Sequence, residues 1–175
     1  MKSVPCVFLF PILLGLAVQA WALPDSCGRE DQKLKVKTEL TSAQPPGPDS
    51  GKAQIVFLET VHADGMVLSE VEARLGIDGA WVGATKGDSY FVFSVAPGTH
   101  HLCANWQADF SSEWERTSVA PLEAEAGKVY YYRIKVTHLR TKEEDEHFLE
   151  LTPVNEDEGR YLMMFLPLTS TKTGK

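Results

Sequence analysis

Lys128-Val129-Tyr130-Tyr131-Tyr132-Arg133-Ile134-Lys135-Val136-Thr137-His138 is the stretch that decides the fold class. Tyr130, Tyr132, Ile134 and Val136 fall on one side of an extended chain. Arg133, Lys135 and Thr137 fall on the other, because strand side chains alternate with a period of two. A helix would scatter the same residues around its circumference. Ala126-Gly127, just before the stretch, supplies a turn into it.

Upstream, residues 53–59 (AQIVFLE) form a short apolar run rich in strand formers. Residues 72–77 and 80–85 flank Asp78-Gly79. Asp-Gly between two such runs predicts a hairpin, since a type I′ turn needs positive φ at both central residues. Residues 89–95 predict the next strand, with Phe91, Phe93 and Val95 on one face. Ala96-Pro97-Gly98 then turns the chain into 99–107. There Leu102, Ala104 and Trp106 share one face, and His101, Cys103 and Asn105 the other. Residues 109–117 (DFSSEWERT) read as an exposed excursion, 119–123 as a weak strand, 141–146 as a charged loop and 148–151 as a last short strand. The pattern predicts an all-β fold: one sandwich-like domain over 53–168, built of about seven to eight short antiparallel strands.

Asn155 is placed to cap a short C-terminal helix, with Glu156, Asp157 and Glu158 in its first turn, where the helix dipole favours anions. Tyr161, Leu162 and Phe165 would be its buried face. A strand over 160–166 is the alternative, because Gly159 is poor inside a helix. Residues 169–175 read as a disordered polar tail.

Residues 1–22 have the layout of a secretory signal. Lys2 is the positive end, 7–18 the apolar run, and Ala20-Trp21-Ala22 fits the small-x-small cleavage rule, with Ala20 and Ala22 in the peptidase pocket. A retained anchor is the alternative, but it needs about 20 apolar residues. Cys27 follows Pro24-Asp25-Ser26, which does not suit a lipid-attachment site. The expectation is a protein exported to the periplasm or cell envelope, or secreted, with no membrane insertion after cleavage. Residues 23–52 read as an N-terminal arm and a Pro/Gly-rich linker. Leu34, Val36 and Leu40 form a short strand within 33–41, and Pro45-Pro46-Gly47-Pro48 breaks the chain after it.

The formal net charge is −7, and the only charged residue of the leader is Lys2, so the remainder is more acidic still. Such a chain repels phosphate backbones and anionic lipid, which excludes nucleic acid as an expected partner. Cleavage would leave two cysteines, Cys27 and Cys103. In an oxidising compartment they suggest one disulfide, closing a loop of about 75 residues for about 4 kcal/mol in the chain-entropy model. Two unpaired thiols are the alternative. The pair lacks the CxxC spacing of a redox centre.

From residue 53 to about residue 162 the chain resembles a bacterial family of exported domains, domain of unknown function 2846. The likeness rests on Ile55-Val56-Phe57, on Ile77-Asp78-Gly79 to Val82-Gly83, on Tyr90-Phe91 to Pro97-Gly98-Thr99-His100, and on Ala126-Gly127-Lys128-Val129-Tyr130-Tyr131-Tyr132-Arg133. The hairpin and the Pro-Gly turn also look like PEGA-type and carboxypeptidase-regulatory-like sandwich modules. The resemblance implies a sandwich in the cell envelope and supplies no catalytic residue.

No motif predicts a catalytic site, a metal site or a cofactor. His100 and His101 are adjacent on a strand and point to opposite faces. His62, His138 and His147 have no cysteine or aspartate at zinc-site spacing. There is no G-x-S-x-G elbow, and the glycines at 76, 79, 83 and 87 lack the Lys-Ser/Thr ending of a phosphate loop. The best binding candidates are aromatics: Trp114, Phe110, Trp81 and Tyr131. Such rings stack on sugars or anchor a protein. Trp114 is the favoured exposed one, flanked by Glu113, Glu115 and Arg116. The expected function is a non-enzymatic interaction or accessory module whose partner is an envelope protein or a glycan. A carbohydrate- or small-ligand-binding sandwich and a hydrolase with an unrecognised site are the alternatives.

Overall fold

The computed structural model describes residues 27–39, 45, 47–60, 62–63, 66–67, 71–107, 114–115, 117–140 and 145–173. Ala20, Ala22 and Phe110 lie outside them. In chain order the elements are strands β1 (Leu34–Glu39), β2 (Ala53–Thr60), β3 (His62–Ala63), β4 (Met66–Val67), β5 (Glu72–Ile77), β6 (Ala80–Lys86) and β7 (Ser89–Val95). Then follow β8 (Gly98–Trp106), β9 (Trp114–Glu115), β10 (Thr117–Ala124), β11 (Val129–Arg140), β12 (Asp145–Val154), helix α1 (Glu156–Met163) and β13 (Leu168–Thr173). The fold is all-β and sandwich-like. A seven-stranded sheet, β1-β13-β7-β2-β11-β12-β9, faces a four-stranded sheet, β10-β8-β5-β6, and β3-β4 is a separate ribbon.

The core between the sheets is filled as the alternation predicts. Ile55, Phe57, Phe91, Leu102, Ala104, Trp106, Tyr132 and Ile134 all point into it. The Asp78-Gly79 hairpin is also as expected, with φ of 52° and 82° at the two turn residues.

The pairing is not purely antiparallel, and the strands number more than eight. β2 lies parallel to β11, β13 touches β7 in parallel, and β9 runs parallel to β12. The cause is visible in β2, whose residues are buried from Ala53 through Glu59. Parallel strands belong where both faces of a sheet are covered. Here the four-stranded sheet covers one face, and α1 with Leu166 and Leu168 covers the other, over Val56, Leu58, Tyr90 and Tyr131.

The C-terminal segment corrects two expectations. Residues 168–173 are not a disordered tail. They form β13, which inserts between β1 and β7. Thr169 is buried, and its hydroxyl satisfies itself on the carbonyls of Ala84 (3.1 Å) and Tyr90 (3.0 Å). A polar strand is thus held where apolarity would not predict one. The sandwich accordingly begins with the arm strand β1, which pairs with β13 from Leu34↔Thr173 to Glu39↔Leu168.

Helix α1 forms with Asn155 as its cap, the side chain accepting from the Glu158 N–H at 2.9 Å. Its buried stripe differs from the expected one. Gly159 lies against the Tyr131 ring, Leu162 and Met163 join the same cluster, and Leu166 follows. That is the i, i+3, i+4, i+7 spacing of one helix face. Tyr161, Met164 and Phe165 are consequently exposed.

Candidate functional site

The outer face of the four-stranded sheet carries the site. Register sets its rows: Thr117–Asn105–Arg74 across β10, β8 and β5, then Val119–Cys103–Gly76 beside it. Pairing shifts by one between Leu75 and Gly76, so Gly76 lies opposite Trp81 instead of Val82. The extra residue reverses the alternation of β6. Val82 packs on the core and Trp81 emerges outside.

The arm crosses this face and is fixed to it at successive points. Cys27 is disulfide-bonded to Cys103, with Cα atoms 5.9 Å apart. The expected parity of β8 explains the bridge: Cys103 faces away from Leu102 and Ala104 and meets the arm. Gly76 leaves the room, since a Cβ there would strike the Cys27 carbonyl and the Cys103 sulfur. Gly28 has φ of +155° and touches the Trp81 indole, where a side chain would not fit. The Trp81 Nε1–H donates to the Arg29 carbonyl at 2.8 Å.

Arg74 is the centre of the arrangement. Its Nη1 donates to the carbonyls of Glu30 (3.1 Å) and Gln32 (3.0 Å), and its Nη2 to Asn105 Oδ1 (2.9 Å). Its guanidinium stacks on Trp81, 4.5 Å from the ring centroid. Only 8 % of Arg74 is exposed, and its Nε has no hydrogen-bond partner. No carboxylate forms an ion pair with it among the described residues. Burial pushes the guanidinium below its ordinary value, while the more distant charge of Glu30 works the other way.

Among the described residues the arm lies over β5 and β6 and reaches β8 at Cys103. Beside it, over β8 and β10, opens a hollow of about 620 Å³. Val119, Pro121 and the disulfide make its apolar walls, and Arg74, His101 and Glu30 bring charge or polarity to it. Val119 is 72 % exposed and presents its isopropyl group to the hollow. Pro121 suits β10, an edge strand, because its missing N–H faces no partner there. Its carbonyl instead accepts from the Tyr132 hydroxyl at 2.8 Å.

Of the aromatic candidates, Trp81 lines the hollow. Tyr131 does not: it is 8 % exposed and lies under α1, on the opposite side of the molecule. The helix needs a flat ring there for Gly159 to approach, so Tyr131 is part of the packing. Trp114 lies in β9, paired with β12. Arg74, His101, Asn105 and Val119 are site residues the sequence reading missed. The available signal was parity: Arg74 and Gly76 alternate with the core residues Ala73, Leu75 and Ile77.

Two other polar groups bear on chemistry. His100 Nδ1 meets Asp78 Oδ2 at 2.7 Å and its Nε2 meets the Ala96 carbonyl at 2.8 Å, so both ring nitrogens are engaged. Partial burial lowers its pKa, but the Asp78 and Ala96 contacts and nearby carboxylate charge outweigh this and raise it overall. Glu59 points into the core from β2 with neither oxygen hydrogen-bonded. Burial raises its pKa well above the ordinary carboxylate value, with Asp88 and Glu72 adding to the effect and Thr85 opposing it. Among the described residues no three His, Cys, Asp or Glu side chains gather as metal ligands, and no helix is long and apolar enough to cross a membrane.

The chain matches no protein-family model, no curated protein and no solved structure.

Proposed function

We propose that the protein is an exported, non-enzymatic binding module of the cell envelope that takes a small ligand in the hollow beside its disulfide-anchored arm. The observation that carries this reading is the open, apolar-walled hollow over β8 and β10, with Val119 left bare in its wall. Pockets of this size with a few polar groups are the usual form of a small-molecule site. The Cys27–Cys103 bridge favours an oxidising compartment, in keeping with the leader at 1–22 and with the resemblance to exported envelope domains.

Hydrolysis has less support. His101 and Glu30 both line the hollow, but its one hydroxyl, Thr117, is held by the Asn105 amide at 2.7 Å. A glycan is also the weaker fit, because the Trp81 indole already carries Arg74 and abuts Gly28.

A thermal-shift screen of the purified, oxidised protein against small molecules tests the reading. Hits that raise the melting temperature, and that Val119→Asp abolishes, support it. Hits indifferent to V119D, or no hits, overturn it. Cell fractionation tests the export component: full-length chain retaining residues 1–22 in the cytoplasm would refute it.

A further inference from the structure

We infer that the hollow selects a small organic anion with an apolar body, its charge drawn to the Arg74 guanidinium, which pairs with no carboxylate among the described residues. The inference rests on the reading of the hollow as a binding site and names the ligand class. Its basis is a mismatch of charge. The chain as a whole is acidic, at −7, yet this face buries an arginine whose acceptors are all neutral: two backbone carbonyls and one side-chain amide. These neutral dipoles take three of its five N–H groups without forming an ion pair. Buried charges are ordinarily paired, so the positive field of Arg74 acts across the space it lines. Apolar walls keep the local dielectric low and lengthen the reach of that field.

The same walls select the rest of the ligand. Val119, Pro121 and the disulfide offer surface to hydrocarbon or aromatic rings, so a bare inorganic anion would leave them wet. The anion need not displace the arm, because Arg74 attracts through space while Glu30 and Gln32 keep their carbonyls on Nη1. The Glu30 side chain acts against the ligand. It lines the hollow, hydrogen-bonds Arg74 only through its backbone carbonyl, and offsets the guanidinium charge from a distance, so its carboxylate repels an incoming anion and limits affinity. Neutralising that carboxylate therefore tightens anion binding and leaves the support of Arg74 intact.

The test is fluorescence titration of the oxidised protein with two probes of similar shape: 8-anilinonaphthalene-1-sulfonate, an anion, and N-phenyl-1-naphthylamine, which is neutral. The anion should bind about tenfold more tightly, the scale of one opposite charge acting through partly buried surroundings. Glu30→Gln should tighten the anion about threefold or more, as removal of one nearby like charge, and leave the neutral probe unchanged. V119D should weaken both. Phe165→Ser, in the exposed patch on the opposite side of the sandwich, should change neither and so excludes binding there.

Equal affinities for the two probes, or an E30Q variant without effect on the anion, overturn the anion inference. If V119D still weakens both probes in that case, the hollow stands as a neutral-ligand site. Binding that responds to F165S and not to V119D, or no binding of either probe, removes the hollow as a site and the anion inference with it. Arg74→Met, should it fold, removes the preference for the anion. If it does not fold, the wild-type ratio and E30Q decide.

Discussion

The carboxamide of Gln107 meets both backbone groups of Leu34. Its Oε1 accepts from the Leu34 N–H at 2.6 Å, and its Nε2 donates to the Leu34 carbonyl at 2.7 Å. One side chain thus does at the start of β1 what a neighbouring strand would do. Nε2 also donates to Glu72, which ties the arm to β5.

Gln107→Leu keeps the bulk and removes this pairing. Leaving part-buried backbone groups unsatisfied costs about 1–3 kcal/mol. The expected result is a lower midpoint in urea, with faster amide exchange at Leu34. Unchanged exchange there would show that the clamp contributes nothing.

Cys27→Ser releases the arm at its other end. Losing such a bridge typically costs about 2–4 kcal/mol, since native strain offsets part of the chain-entropy gain. Denaturation of C27S should match that of the wild type in reductant, and exchange should quicken across 28–32. Equal stability with and without the bridge would contradict this.

Glu59 makes stability depend on pH. Its folded pKa lies well above the ordinary value of 4.5 because burial penalises the carboxylate. The neutral form is therefore favoured by folding. Its contribution is complete below the unfolded pKa and is lost as pH rises through the folded one. Glu59→Gln keeps the shape and stays neutral, so it should remove a fall of up to about 1.4 kcal/mol per pH unit on the alkaline side of 4.5. Urea unfolding at pH 5, 6, 7 and 8 measures this, and parallel curves for wild type and E59Q would refute it.

Gly159→Ala sets helix propensity against packing. Propensity alone favours alanine by about 1 kcal/mol. A Cβ at 159, however, would collide with the base of the Tyr131 ring, which cannot swing away as the tip of a long side chain does. The net effect should be a loss of about 1–3 kcal/mol, the usual cost of overpacking. A melting temperature at or above wild type would show that α1 can lift at no cost.

Much of the sandwich is legible from alternation and turn chemistry, as the paths of β8 and β11 show. Parity placed Cys103 away from the core and so beside the arm, and Asp78-Gly79 fixed the hairpin. The parts that escaped depend on events that leave no period. A single extra residue, Val82, turns Trp81 outward. A glycine within helical sequence, read as a weakness, proves to be the contact that seats α1. Thr169 sits in a polar run and is buried because its hydroxyl finds two carbonyls across the fold. The hollow itself lies between the described part of the arm and β10, and forms from residues far apart in the chain, such as Cys27, Arg74 and Val119, so no local signal encodes it.

The pairing of β1 with β13 sets a condition on the order of folding. The arm strand leaves the ribosome well before its hydrogen-bonded neighbour among the described residues, β13, with which it pairs from Leu34↔Thr173 to Glu39↔Leu168. The central parallel pair, β2 with β11, likewise joins distant parts of the chain. A nascent chain can form the β5–β6 hairpin at once but must wait for β13 to close the large sheet. Such non-local topologies fold slowly and keep strand edges uncovered meanwhile. For this protein, the vulnerable interval is the time between the arrival of the arm and the arrival of the strand that shelters it.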